Sequence, residues 1–193
     1  MADSKPAKKI PPSPVEIVQE DNPVLREKAQ AVPLDEITSP KIQKIIADMI
    51  KALDSQDDGV GIAAPQIGHS LAIFAISGKA LERINKSKDG DEAPKKAYKN
   101  LVFINPRIIK LSKEKKWMDE GCLSVRWLYG KVERSIRATV SAYDENGKSF
   151  ERGGGGVLAH IYQHEVDHLN GTLFIDKAID LEEMEPEENE HEK

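Results

Sequence analysis

A single cysteine, Cys122, leaves the chain no partner for an intramolecular disulfide and fits a reducing compartment. Long apolar runs are missing too. The longest, residues 71–76, is too short for a membrane-spanning helix or for the apolar segment of a signal peptide. The expectation is a soluble chain that is not secreted. Aromatic residues are sparse at 5%, yet 39% of the 193 residues are hydrophobic, which is enough to bury the core of one domain.

A surplus of positive charge on the body is likewise absent. The formal net charge is −5, with −7 on residues 180–193 and +2 on residues 1–14, so residues 15–179 are neutral. Neutralising phosphates needs a surplus of Lys and Arg, so the composition argues against a nucleic-acid partner. Residues 1–14 carry four prolines and several lysines and read as a flexible arm, and 180–193 as an acidic disordered tail. Between them, 15–179 read as one folded domain. The arm lacks the Arg-rich, acid-free character of an organellar transit peptide, so the expected setting is a bacterial-type cytoplasm rather than an organelle.

Ser39-Pro40 marks a helix start, and Ile42, Ile45, Ile46, Met49, Ile50 and Leu53 then recur on one helical face, predicting a helix to about Asp54. Residues 71–76, 101–104 and 138–143 read as strands, the last bounded by the turn Glu145-Asn146-Gly147. Residues 79–99 are mostly charged and read as a surface insertion. The glycine run 153–156 reads as a break before residues 157–169, which have helical spacing and no internal Gly or Pro.

The sharpest chemical signal, His164-Glu165-Val166-Asp167-His168, lies on that last helix. Residues four apart share a face, so two imidazoles can bind one metal ion while Glu165 stands beside a polarised water. His160 extends the stripe by one more interval of four. A His160–His164 pair would be followed by Ile161, with no carboxylate to handle protons, so His164 and His168 form the better pair. His160 then reads as a neighbour packed near the site or partly solvated.

Two imidazoles leave a catalytic ion one protein ligand short, and Cys122, in Glu120-Gly121-Cys122-Leu123-Ser124-Val125, is the evident third. A Cys and two His leave one position open, as in a catalytic rather than a structural site. In Gly59-Val60-Gly61-Ile62-Ala63-Ala64-Pro65-Gln66 the small residues allow close backbone approach, and Gln66 could offer an amide N–H to a developing oxyanion. The segment has neither the Gly-Lys-Ser/Thr ending nor the Gly-x-Gly-x-x-Gly spacing of nucleotide-binding loops.

Together these three segments, the last extended to Gln163-His164-Glu165-Val166-Asp167-His168-Leu169-Asn170-Gly171, resemble the peptide deformylases in motif and in order, over about 15–176. The resemblance implies a metal-dependent hydrolase that removes the formyl group from the formyl-methionine of new polypeptides and releases formate. It makes Cys122, His164 and His168 the ligands of one divalent ion and Glu165 the general acid/base. It implies Gln66 and the backbone N–H of Leu123 as oxyanion donors, and Val60, Gly61 and Gly121 as residues that pair with the substrate backbone. Fe(II) is the ion it implies, with nickel, cobalt or zinc as substitutes, whereas ligand type alone points to zinc. Around the ligands, Glu120 is a candidate to orient an imidazole and Asp167 a candidate partner of Arg134.

The chain departs from the common family pattern at Arg126, where proline is frequent, in the glycine run, and in the length of 79–99. Its acidic tail is unlike the basic helix with which some members dock on the ribosome. Partners are therefore expected to be an N-formyl-methionyl peptide and at most a transient ribosome contact, with no nucleic acid, no membrane and a monomeric chain. Two rival readings are a zinc endopeptidase and a catalytically silent peptide- or ribosome-binding protein with a structural metal. After His168 the chain offers the first only acids and His191 as a third ligand, and the second has no use for Glu165 or Gln66. The expected fold is α+β, with short, mostly antiparallel β-sheets around a central metal-binding helix and the Ile-rich helix packed outside.

Overall fold

The computed structural model describes residues 14–89 and 98–184. Helix α1, Pro40–Asp54, opens as its sequence suggests. Ser39 Oγ accepts the Ile42 amide, Pro40 occupies the first turn, and Ile42, Ile45, Ile46, Met49, Ala52 and Leu53 are buried along one face. Strands β1 (Gly61–Ala63), β2 (Ile73–Ile76), β3 (Leu101–Leu111), β6 (Arg137–Tyr143) and β7 (Ser149–Gly155) form an antiparallel sheet in the order β1-β2-β3-β6-β7. Strands β4 (Lys115–Cys122), β5 (Val125–Ser135) and β8 (Ile179–Glu183) form a second antiparallel sheet in the order β4-β5-β8.

The five-stranded sheet is covered on both faces, and β2 shows how. Ile73 and Ala75 pack into the cluster built on α1, while Phe74 and Ile76 pack into the cluster that holds Ala159, Ile161 and Tyr162 of helix α3 (Val157–Leu169). A strand buried on both faces needs apolar residues at every position, which is why the segment reads as an unbroken hydrophobic run. Phe74 stacks on Phe103 of β3 with ring centroids 4.4 Å apart. A third cluster, containing Leu25, Val125, Val132, Leu173 and Phe174, lies beneath the small sheet. The architecture is α+β as expected, with α3 inside and α1 outside, and no helix among the described residues is long and apolar enough to cross a membrane.

Several segments differ from the sequence reading. Strand β3 continues past residue 104 through an irregularity at Asn105 (φ 50°), whose carboxamide makes a two-way bond with the backbone of Val32. The charged segment begins as helix α2 (Gly78–Asp89), with Ala80 and Leu81 buried and its first amide bonded to Asn100 Oδ1; residues 90–97 of that expected insertion lie outside the described residues.

Gly153, Gly154 and Gly155 do not break the chain but belong to β7, and only Gly156 (φ 57°) turns it. A Cβ on Gly154 would come within 2.9 Å of Leu158 and Tyr162, so the missing side chain lets α3 close on the sheet. Residues 180–183, expected to belong to the loose tail, join Ile179 in β8 (Ile179–Glu183) at the edge of β5. The expected arm, apart from Pro14, and the rest of the expected tail from 185 onward lie outside the described residues.

Candidate active site

Three elements meet at the cleft beside α3. Strand β1 and the 3-10 turn Ala64–Ile67 form one wall, the end of β4 with the start of β5 forms the other, and α3 forms the floor. The cleft measures about 340 Å³. Gln163 fixes α3 to the far end of β5: its Oε1 accepts the Ser135 amide, and its Nε2 donates to the Ser135 carbonyl and, within the helix, to that of Ala159.

One donor atom from each of Cys122, His164 and His168 lies within 4.8 Å of the others, and the Cys122 Sγ to His168 Nε2 distance is 3.2 Å. The helix brings the two imidazoles together, and a register irregularity between Gly121 and Cys122 at the end of β4 accompanies the approach of the thiol. Glu165, 2% exposed, follows His164 on α3 and lines the cleft; its Oε2 has no hydrogen-bond partner among the described residues. Burial pushes the Glu165 carboxyl up to about 7.

Gln66, 1% exposed, is held at both ends of its carboxamide. Its Oε1 accepts the Ala63 amide at 2.8 Å, and its Nε2 donates to Ser124 Oγ at 3.1 Å and lies 3.5 Å from Cys122 Sγ. Leu123 sits in the tight turn between β4 and β5, and both it and half-exposed Val60 line the cleft. Gly61 starts β1, the end strand of its sheet, and Gly121 lies opposite Tyr129, whose ring occupies the space a Cβ would need.

Behind the imidazoles lies a buried ionic network. Glu120, 4% exposed, accepts His164 Nδ1 at 2.9 Å on Oε2 and makes a paired contact with Arg134, at 2.7 Å to Nε and 3.1 Å to Nη2. Arg134 Nη1 reaches Asp167 at 2.5 Å, and Asp167 is in turn bonded by Lys177. Burial alone would raise the Glu120 pKa, but the hydrogen bonds from His160, His164 and Arg134 hold its carboxyl well below the usual range. With Nδ1 of His164 donating to Glu120, its Nε2 is left as the ring's lone-pair donor.

The sequence reading did not pair His160 with Glu120, Ser124 with Gln66, or Arg126 with Asp58 across the cleft wall, the last at 2.5 and 3.1 Å. Arg126 was visible as a departure from the family pattern, but its partner is 68 residues away. His160 was visible as a member of the stripe, with its partner 40 residues away.

A cysteine sulfur and two imidazole nitrogens are the donor types that suit a borderline divalent ion, and Glu165 Oε2 is unpartnered beside them, so the residues present fit a metal. Such a donor set on a helix floor, open to a cleft, is that of a candidate mononuclear metal site. The chain belongs to the polypeptide deformylase family, whose sequence model matches residues 14–184.

Among relatives, it is 41% identical over 163 residues to "Peptide deformylase 1A, chloroplastic" of Solanum lycopersicum, covering 84% of this chain and 58% of that protein. It is 37% identical over 166 residues to a peptide deformylase of Desulforudis audaxviator, covering 86% of this chain and 94% of that one. The chain thus spans about three fifths of the length of the plant relatives it matches. Among solved structures, a peptide deformylase from Synechococcus elongatus in complex with actinonin superposes with a TM-score of 0.73 at 34% identity, covering 90% of this chain and 85% of that one.

Proposed function

We propose that this chain hydrolyses the N-terminal formamide of formyl-methionyl polypeptides, giving formate and a free amine. The observation that carries the reading is the Cys122, His164 and His168 cluster beside buried Glu165, in a cleft walled by an end strand. Cys122, His164 and His168 would hold one divalent ion, Fe(II) in the proposed working form. When bound, that ion acidifies water and polarises the formyl oxygen.

The remaining steps belong to the chain. Glu165 takes a proton from the attacking water and delivers it to the departing amine nitrogen as the C–N bond breaks. Gln66 Nε2 and the Leu123 amide donate hydrogen bonds to the oxygen that gains charge in the tetrahedral species. Gln66 is oriented for this before substrate arrives, because Ala63 and Ser124 hold its carboxamide. Val60, Gly61 and Gly121 pair with the extended substrate backbone as it lies along β1 like an added strand. Glu120 and Arg134, braced by Asp167, keep the His164 ring in place.

The test is formate release from formyl-Met-Ala by protein loaded anaerobically with Fe(II), beside the acetylated peptide and a Glu165→Ala variant. Release from the formyl peptide alone, lost in the variant, supports the reading. No release from folded, loaded wild type overturns it in favour of a silent binding protein. The proposed setting is a bacterial-type cytoplasm, where the chain acts as a monomer with at most a transient ribosome contact. Fractionation of source cells and sedimentation with ribosomes check these points.

A further inference from the structure

His160 is the imidazole of the α3 stripe that the proposed reaction leaves without a part. It is 9% exposed and lines the cleft one helical turn before His164. Its Nε2 lies 2.5 Å from Glu120 Oε1. An ionised carboxylate only accepts, so Nε2 carries the proton and donates it.

With that bond the hydrogen-bonding capacity of Glu120 is filled. Its two oxygens offer about four lone-pair sites. Oε1 accepts Arg134 Nε and His160 Nε2, and Oε2 accepts His164 Nδ1 and Arg134 Nη2. Arg134 clamps the carboxylate from one side and is itself drawn toward Asp167. Glu120 and His160 both border the cleft, so without His160 the vacated site on Oε1 would be open to water or to a polar substrate group. A carboxylate that gains a new partner on Oε1 is free to tilt, and Oε2 carries the bond that orients His164.

We propose that His160 is a positioning residue for the metal centre: it saturates Glu120 Oε1 on the cleft side, so that Oε2 stays aimed at His164 Nδ1 and His164 keeps Nε2 toward the ion. The inference rests on the metal-dependent reading of the site but not on the identity of the substrate. A residue that orients a ligand in this way typically changes metal affinity by about 10–100-fold when lost.

The test compares His160→Gln, long enough to donate an amide N–H to Oε1, with His160→Asn, polar but too short to reach it. Affinity for Co(II) is measured by competition with a chelating dye, and the Co(II) absorption spectrum is recorded for each folded variant. The expected result is an affinity near wild type for the Gln variant, with about a tenfold or greater loss and an altered spectrum for the Asn variant. The difference between the two should vanish in a Glu120→Gln background, since the effect passes through Glu120. Equal affinities for the two variants, or an undiminished difference in the Glu120→Gln background, overturn the proposal. Formate release by wild type reads the deformylase proposal separately, so the two can fail independently.

Discussion

Gly61 and Glu165 lie so close that a Cβ on Gly61 would collide with the Glu165 carboxylate, and it would also come within 3.3 Å of the Ala75 carbonyl. The glycine therefore lets the edge of β1 and the Glu165 carboxyl, the proposed proton carrier, border the same space. Gly61→Ala should fold, since the struck group is the end of a side chain, but the carboxylate must move. A displacement of about 1 Å at the reacting centre can cost about 10²-fold, so kcat/KM on a formyl-methionyl peptide should fall by that order with metal content unchanged. Steady-state kinetics with metal analysis checks this, and a rate within threefold of wild type would show that the close approach has no catalytic role.

Gln66 holds the Ala63 amide and, in the proposed reaction, would also donate to the oxyanion, so a single substitution should expose both losses. Losing an oxyanion donor typically costs about 10²–10³ in kcat. Gln66→Ala also strips the Ala63 amide of its acceptor, and a buried donor left unpaired costs about 1–3 kcal/mol. The variant should therefore be both slow and measurably less stable, with KM little changed. Kinetics and urea denaturation read the two losses separately.

What the sequence revealed and what it hid follow from how each element satisfies its interior. Helices α1 and α3 were legible because apolar residues fill their inner faces at helical spacing. The hairpin β4–β5 escaped notice because its inward positions include Glu120, Cys122 and Arg134, so the usual alternation of apolar and polar residues is inverted where the site is built. Strand β8 was hidden by its acidic composition: all five residues are exposed, and it is held largely by backbone bonds to β5. The candidate ligands stood out because a spacing of four on a helix is a local signal and Cys122 has no rival. The bond from His160 to Glu120 is a tertiary contact, and no short-range pattern announces it.

Arg134 compensates two carboxylates at once, with its side chain 5% exposed and those of Glu120 and Asp167 2% and 17% exposed. Removing one partner from a buried ion pair leaves an uncompensated charge and costs about 3–5 kcal/mol. Arg134→Leu should lose about that much stability in urea denaturation and should bind metal more weakly, because Glu120 loses its clamp on the side away from the cleft. Arg134→Lys should recover only part of both, since a single ammonium cannot reproduce the paired contact with Glu120.

Stripping the metal should abolish activity without unfolding the chain. His164 is tethered to Glu120, Glu120 is clamped by Arg134, and α3 is packed against the five-stranded sheet, so the elements that carry the donors are held by contacts of the chain itself. A ligand that binds only the folded state still stabilises it, by about 4 kcal/mol when the free ion is a thousandfold above its dissociation constant. Chelated protein should accordingly keep its circular dichroism, melt at a lower temperature than the loaded form, and regain both melting temperature and activity on addition of Fe(II), nickel or cobalt. Cys122→Ser should not regain the higher melting temperature, because a hydroxyl is a poor substitute for a thiolate toward these ions. Identical melting of loaded and chelated wild type would mean that Cys122, His164 and His168 do not hold the ion, and the proposed reaction would lose its foundation.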